Sequence, residues 1–283
     1  MPKLLPERYR NRDFFVADIF DAAPKGDRTS MEHPIFSLSK KKDNKERTYE
    51  HNGNTIEIFP SSRGLATIWD KDILIFLASQ LIEGINRKRT DVSQTVRFTV
   101  YEYLVATNKP VGGDHYKRLE EGLDRLAGTR IKTNIQTGKV RIKENFGLIE
   151  NWKAVEKSFD NERMVALEVT LSLWFFNAVK SFEVLTINRN YFRISGGLDR
   201  RLYELARKHC GHQSGWTISL DLLHKKSGST STLKEFRRMV KNSLNDDSLP
   251  DYRFWFDAEN DQVTFYPKDM KKLAFGQEQG TLL

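Results

Sequence analysis

Ser227-Gly-Ser-Thr-Ser-Thr-Leu-Lys-Glu-Phe-Arg-Arg-Met-Val-Lys-Asn-Ser-Leu244 contains a glycine turn, a helix start and a helix with its cations gathered on one flank. Thr232-Leu-Lys-Glu235 fits a capping box, in which the Thr hydroxyl and the Glu carboxylate each satisfy an orphan amide. Leu233, Phe236, Val240 and Leu244 repeat at helical spacing and predict an apolar stripe. Lys234, Arg237, Arg238 and Lys241 fall on a second stripe, roughly 100° around the helix. A shorter helix, Leu220 to Lys226, is predicted before this stretch and a hairpin, Tyr252 to Tyr266, after it. Helix, turn, basic helix and hairpin is the order by which a winged helix-turn-helix enters DNA. A solvated basic surface helix has the same local pattern.

Working outward, the chain of 283 residues is long enough for two ordinary domains. Its formal net charge of +8 favours polyanionic partners, nucleic acid before an anionic membrane. One cysteine, Cys210, excludes an internal disulfide and a Cys-rich zinc site. Met1 to Phe20 has no signal-peptide core, and the longest apolar run, Ile73 to Ala78, is far too short to cross a bilayer. These features predict a cytoplasmic protein with no membrane partner.

The pattern predicts an α+β chain of two tandem winged-helix domains behind an N-terminal arm. The arm covers residues 1–45, the first domain 46–155, the second 156–270 and a tail 271–283. Asn52-Gly53 marks a hairpin turn. Asp70 is placed to cap a helix from Lys71 to about Arg87, and Thr99-Val-Tyr-Glu102 is a second capping box. A third helix runs from Asp114 to about Ala127, with Tyr116, Leu119, Leu123 and Leu126 facing in. Residues 130–143 then read as a hairpin around Thr137-Gly138. The order recurs downstream: a strand from Met164 to Leu171, helices after Ser172, from Gly197 to His209 and after Ser219, then the basic helix and its hairpin. Lys153 to Arg163, polar and charged, reads as the linker.

The two domains differ in charge. The third helix carries Lys117, Arg118 and Arg125 but also Asp114, Glu120, Glu121 and Asp124. Its hairpin is basic: Lys132, Lys139, Arg141 and Lys143 suit phosphate contacts, which position a protein without reading sequence. Lys234, Arg237, Arg238 and Lys241 suit base edges, with Arg237 or Arg238 able to fork guanine. Ser229, Thr230 and Ser231 precede a helix N-terminus, where amides and hydroxyls can hold a phosphate.

No catalytic or cofactor motif emerges. The chain has no G-x-x-x-x-G-K-[ST], no G-x-S-x-G and no His-x-His. His209-Cys-Gly-His212 lacks a distant partner set for zinc. Asp257-Ala-Glu-Asn-Asp261 departs from a calcium loop at Gln262 and Lys268 and reads as an acidic hairpin turn. Tyr191, Tyr203 and Tyr252 read as packing residues. No metal, no cofactor and no enzyme activity are expected.

Several segments together resemble the plasmid replication initiator protein A (RepA-like) family. They are His33-Pro-Ile-Phe-Ser-Leu-Ser-Lys40, Tyr49-Glu-His-Asn-Gly53, Gly64-Leu-Ala-Thr-Ile-Trp-Asp-Lys-Asp-Ile-Leu74, Leu123-Asp-Arg-Leu-Ala-Gly-Thr-Arg130, Phe146-Gly-Leu-Ile149, Arg200-Arg-Leu-Tyr-Glu-Leu-Ala-Arg-Lys-His-Cys-Gly211 and Lys225-Lys-Ser-Gly-Ser229. The resemblance implies a sequence-specific initiator that binds repeats in a plasmid origin, opens the duplex and represses its own gene. It implies that the second domain reads bases through Lys234, Arg237, Arg238 and Lys241, and that the first supports the backbone and mediates a homodimer. A host replication initiator and a replicative helicase would be partners. A winged-helix repressor shares the reading helix, and an origin-nicking enzyme is the alternative from another class.

Overall fold

The computed structural model describes residues 4–9, 14–17, 34–51, 54–133, 136–137, 140–141, 144–156, 164–181, 184–210 and 213–269. They fall into two compact units, one within Arg8–Leu185 and one within Met1–Glu7 and Thr186–Leu283.

The first unit is centred on α1 (Lys71–Asn86). Ile73, Leu74, Ile75, Phe76, Leu77, Ala78, Leu81 and Ile82 are all buried, so the helix is covered on nearly every side. β1 (Phe14–Ala17) precedes it in the chain, as do β2 (Arg47–His51) and β3 (Asn54–Phe59). After α1 come β4 (Thr95–Phe98), α2 (Val100–Ala106) and α3 (Gly113–Gly128). The capping box at α2 forms as the sequence predicts: Thr99 Oγ1 accepts from the Glu102 amide, and the Glu102 carboxylate accepts from the Thr99 amide at 2.7 Å. Asp70 stands at the start of α1 without capping it. Its carboxylate instead accepts from the Thr67 amide and hydroxyl at 2.8 and 3.0 Å and from the Arg125 fork. On α3, Leu119, Leu123 and Leu126 are buried and Tyr116 is half-buried.

Two sheets flank these helices. β5 (Arg130–Thr133), β6 (Gln136–Thr137), β7 (Val140–Arg141) and β8 (Glu144–Gly147) follow: Thr137 on β6 faces Val140 on β7, and β5 with β8 makes an antiparallel pair. It joins β2 and β3 in the order β2-β3-β5-β8. At Gly128, just before it, a Cβ would lie 2.4 Å from Ser61 Cβ, so the chain needs glycine there.

The second sheet corrects the sequence reading. β9 (Ile149–Glu156) and β10 (Met164–Leu171) pair with β4 in the order β4-β10-β9. This hairpin is the first unit's wing, and Lys153–Glu156 of the segment read as a linker belong to its strand β9, while residues 157–163 lie outside the described residues. α4 (Leu173–Lys180), capped by Ser172, packs against α1. The strand and helix expected to open the second domain therefore belong to the first unit, and the division falls at Leu185 rather than residue 155. Polar strand residues caused the misreading. Lys153 and Arg97 both pair with Glu168 across this sheet, so its charged face mimics a loop composition. Part of the expected arm is also built in: Ile35 and Phe36 are buried, and Ser37 bridges to Thr67.

β11 (Val184–Ile187) spans the division between the units. A 3-10 turn, Arg189–Arg193, leads to α5 (Gly197–His209), β12 (Trp216–Ser219), α6 (Leu220–Ser227), α7 (Leu233–Asp246), β13 (Tyr252–Asp257) and β14 (Gln262–Pro267). The sheet order is β12-β14-β13, matching β4-β10-β9 in the first unit. Both units are winged helices. Tyr252, Phe254 and Phe256 alternate inward on β13 and meet Val263 and Phe265 from β14 and Phe236 and Val240 from α7. Tyr191, Tyr203 and Tyr252 are all fully buried. No helix among the described residues is long and apolar enough to cross a membrane.

Candidate nucleic-acid interface

The helix-turn-helix of the second unit is α6, a short turn and α7. Gly228 ends α6 at φ +70°, a left-handed conformation that favours glycine. The Ser227 hydroxyl donates to the His224 carbonyl and accepts from the Ser229 amide. Ser229 and Ser231 share a hydroxyl–hydroxyl bond of 2.9 Å, while Thr230 is exposed. Thr232 Oγ1 then accepts from the Glu235 amide. The turn is organised by its own hydroxyls, so Ser229 and Ser231 are partly engaged before any ligand arrives.

Only one half of the predicted Thr232–Glu235 capping box forms. The Glu235 carboxylate faces Arg238, which forks it at 3.0 and 2.6 Å. That hydrogen bond is the main reason the Glu235 carboxyl is held below its usual range. Phe236 and Val240 are buried as predicted; Leu233 and Leu244 are half-buried.

The four α7 cations differ in what they touch. Lys234 is exposed. Arg238 is 64% exposed, and its fork on Glu235 is a surface pair one turn away, weak enough to exchange for a phosphate or base. Lys241 is exposed, with its ammonium 5.1 Å from the centre of the Phe256 ring. Arg237 stands apart. Its fork grips Asp261 in the turn of the wing at 3.1 and 2.8 Å, tying the helix to the hairpin. The geometry that would suit guanine is already occupied by a carboxylate. Sequence reasoning missed this brace because the partners are 24 residues apart. The wing turn is otherwise the acidic turn expected, with Asp257 accepting from the Glu259 and Asn260 amides.

A second feature absent from the sequence reading is the outer face of this wing. Trp255 is 63% exposed and Tyr266 is exposed too, with Arg253 beside them in register with Tyr266. The alternation Tyr252-Arg253-Phe254-Trp255-Phe256 carried the signal, since it sends every second residue outward.

The basic hairpin of the first unit is less available than predicted. Lys132 lies directly across from Glu57 on β3 and donates to both carboxylate oxygens at 3.1 and 2.8 Å. Its charge is neutralised by a neighbour on its own sheet. Arg141 lies on β7 opposite Gln136; its side chain, and the whole of Lys139 and Lys143, lie outside the described residues.

On α3, Arg125 faces inward and forks Asp70 at 2.7 and 2.8 Å, with Asp70 almost wholly buried. Lys117 and Arg118 are exposed. Elsewhere, the His209 ring is half-buried in the second unit and stacks on Trp216 at 4.4 Å, Cys210 is buried, and His212 lies outside the described residues. Among the described residues no group of three or more His, Cys, Asp or Glu could hold a metal ion.

Comparison with known proteins gives a consistent picture. Residues 25–254 match the model of a family described as replication initiator protein A. A provisionally described replication protein of Wigglesworthia glossinidia brevipalpis is 38% identical over 263 residues, covering 92% of this chain and 95% of the relative. Crystal structures of domains 2 and 3 of RctB share the fold at 13% identity. One, of the selenomethionine derivatives, has a TM-score of 0.63 over 90% of this chain and 99% of its own. The other has a TM-score of 0.58 over 86% and 98%.

Proposed function

The chain belongs to the replication initiator protein A family, and from that premise we propose that it binds repeated sites in a plasmid origin and opens the neighbouring duplex. The observation that carries the proposal is α7. It is the second helix of a helix-turn-helix, it is anchored by Phe236 and Val240, and it presents Lys234, Arg238 and Lys241 outward. Such a helix can enter the major groove. Arg238 is the candidate for base readout, because its fork is held only by an exposed carboxylate on its own helix. Lys234, Lys241 and the Ser229–Ser231 turn are assigned to phosphates. Arg237 is assigned a positioning role: it sets the wing against the reading helix through Asp261. In the first unit, Lys132 is withdrawn from the proposed contacts by Glu57, while Lys139, Arg141 and Lys143 keep their expected role on the backbone.

The proposed action needs no catalytic group, and Tyr191, Tyr203 and Tyr252, read as packing residues, are buried. Dimerisation through the first unit, autorepression and contact with the host initiator and helicase belong to the same reading.

The test is selection of bound duplexes from a random pool, with wild type and with Lys234→Ala/Arg238→Ala in parallel. Wild type should yield one long motif, and the variant should lose it, with affinity falling about tenfold or more. A motif that survives in the variant would place readout outside α7. Permanganate footprinting of the selected site beside an AT-rich segment then separates an initiator, which opens the duplex, from a repressor, which leaves it closed.

A further inference from the structure

The first unit carries a cavity of about 580 Å³ beside α3. Lys40, Lys41, Lys42, Lys109, His115 and Arg118 all contribute to its wall. Two carboxylates, Asp70 and Glu121, line it as well, but Asp70 is held by the Arg125 fork. Lys109 is paired with Asp72, and Arg63 with Asp124 at 2.8 Å. Lys41, Lys42 and Arg118 are exposed, and none of them pairs with a carboxylate among the described residues. The nearest acid to the lysine run, Asp43, is bound to Arg47 and Ser37. Burial, then Arg118 and Lys109, hold the His115 imidazole below its ordinary range, while Asp114 acts the other way. Cations outnumber carboxylates in the lining.

The backbone on either side of the lysine run is anchored. The Leu65 amide donates to the Asp43 carbonyl at 2.7 Å, and the Ser37 amide and carbonyl are bonded to Ala66 and Ile68. Gly64, at φ +93°, lets this chain pass. A Cβ there would lie 2.9 Å from Lys42 Cγ and 3.0 Å from the Asp43 carbonyl oxygen. Apart from Thr67, the rest of the lining is aromatic or apolar: Trp69 and Tyr103, with Leu65, Ile73 and Leu119. The Lys40 ammonium lies 5.0 Å from the centre of the Trp69 ring. Cations without acid partners beside an aromatic and apolar wall fit one ligand chemistry, a phosphate joined to a heterocycle.

We propose that this cavity is a nucleotide-binding site, with phosphate on Lys41, Lys42 and Arg118 and the base against Trp69 and the apolar floor. The nucleotide is either a free nucleoside polyphosphate or one nucleotide of a single DNA strand. The site is independent of α7, so it stands or falls apart from the reading helix.

The experiment is fluorescence anisotropy of the full chain with labelled ADP and, separately, with a labelled eight-nucleotide oligothymidine. Saturable binding of ADP assigns the free nucleotide, and binding of the oligonucleotide alone assigns the strand. Lys41→Gln/Lys42→Gln and Arg118→Gln should each weaken that binding about tenfold or more, the loss of at least one charge-assisted hydrogen bond. Lys234→Ala/Arg238→Ala should leave it unchanged. Both cavity variants should keep the wild-type unfolding temperature and duplex motif, because their side chains are exposed. Absence of binding to either probe, or binding that survives in both cavity variants, overturns the proposal.

Discussion

The two helix-turn-helix elements have the same sheet order around them and use their arginines in opposite directions. On α3, Arg125 turns inward to a carboxylate that is almost wholly buried, at the start of α1. On α7, Arg237 reaches sideways to the wing turn, and Lys234, Arg238 and Lys241 remain outside. The topology is shared, so it does not determine which helix can face a polyanion. The placement of carboxylates does. An acid inside the fold turns an arginine into a packing element, whereas an acid on the same surface leaves it exchangeable.

The most disruptive way to break this contrast is Asp70→Ala. It leaves Arg125 half-buried without its carboxylate and removes the acceptor of the Thr67 amide and hydroxyl. The first unit should lose about 3 kcal/mol, as when one partner of a buried pair is deleted. Urea unfolding measures it, and a loss below that of the exposed Asp261→Asn would refute the distinction.

Acid should act on the second unit. Burial, with Lys208, Lys226 and Arg201 adding to it, pushes His209 down to about 3 from an ordinary value of 6.5. Between those values the unfolded chain binds a proton that the folded chain refuses. The stability is therefore complete above pH 6.5 and falls as the pH drops toward 3, by about 2 kcal/mol at pH 5. His209→Phe, which keeps a ring on Trp216, should flatten this part of the pH profile. An equal loss between pH 7 and pH 5 in the variant would assign the effect to other groups.

Asp261→Asn sharpens the comparison on the binding side. It removes an acid next to the reading helix and releases Arg237, so duplex affinity should rise roughly threefold at low ionic strength and the salt dependence should steepen. Weaker binding would show that the brace itself is needed. The smallest effect belongs to Lys132→Ala. With Glu57 already neutralising this lysine, DNA affinity should not change, and stability should fall by less than about 1 kcal/mol. A flatter salt slope would return Lys132 to the interface.

Local rules account for what the sequence revealed. Thr99, Ser172, Ser219 and Thr232 all accept from the amide three residues on, because a hydroxyl at a helix start has few better partners. The glycine turn at Gly228 and the hairpin from Tyr252 to Tyr266 were similarly legible. What escaped depends on residues far apart in the chain. The first wing was hidden because pairing of β9 with β10, and of β10 with β4, is invisible in a window rich in Lys and Glu. Asp70 looked like a cap, and its actual partner Arg125 lies 55 residues away. Lys132 looked like a free cation because Glu57 is 75 residues distant. The alternation of a hairpin predicts which residues share a face, but not which neighbouring strand will supply their counter-charges.

The second unit is not continuous in the chain. The Leu5 amide donates to the Arg193 carbonyl at 2.8 Å, the Arg193 guanidinium returns a bond to the Leu5 carbonyl, and Glu7 pairs with Arg189 and Arg193. During synthesis these first residues leave the ribosome long before their partners exist, and the whole of the first unit is translated between them. Closing that loop is a late event whose entropy cost grows only slowly with the length of the intervening chain. A nascent chain stalled before residue 189 would therefore hold its leading residues unpaired, and a downstream fragment translated alone would start folding without them.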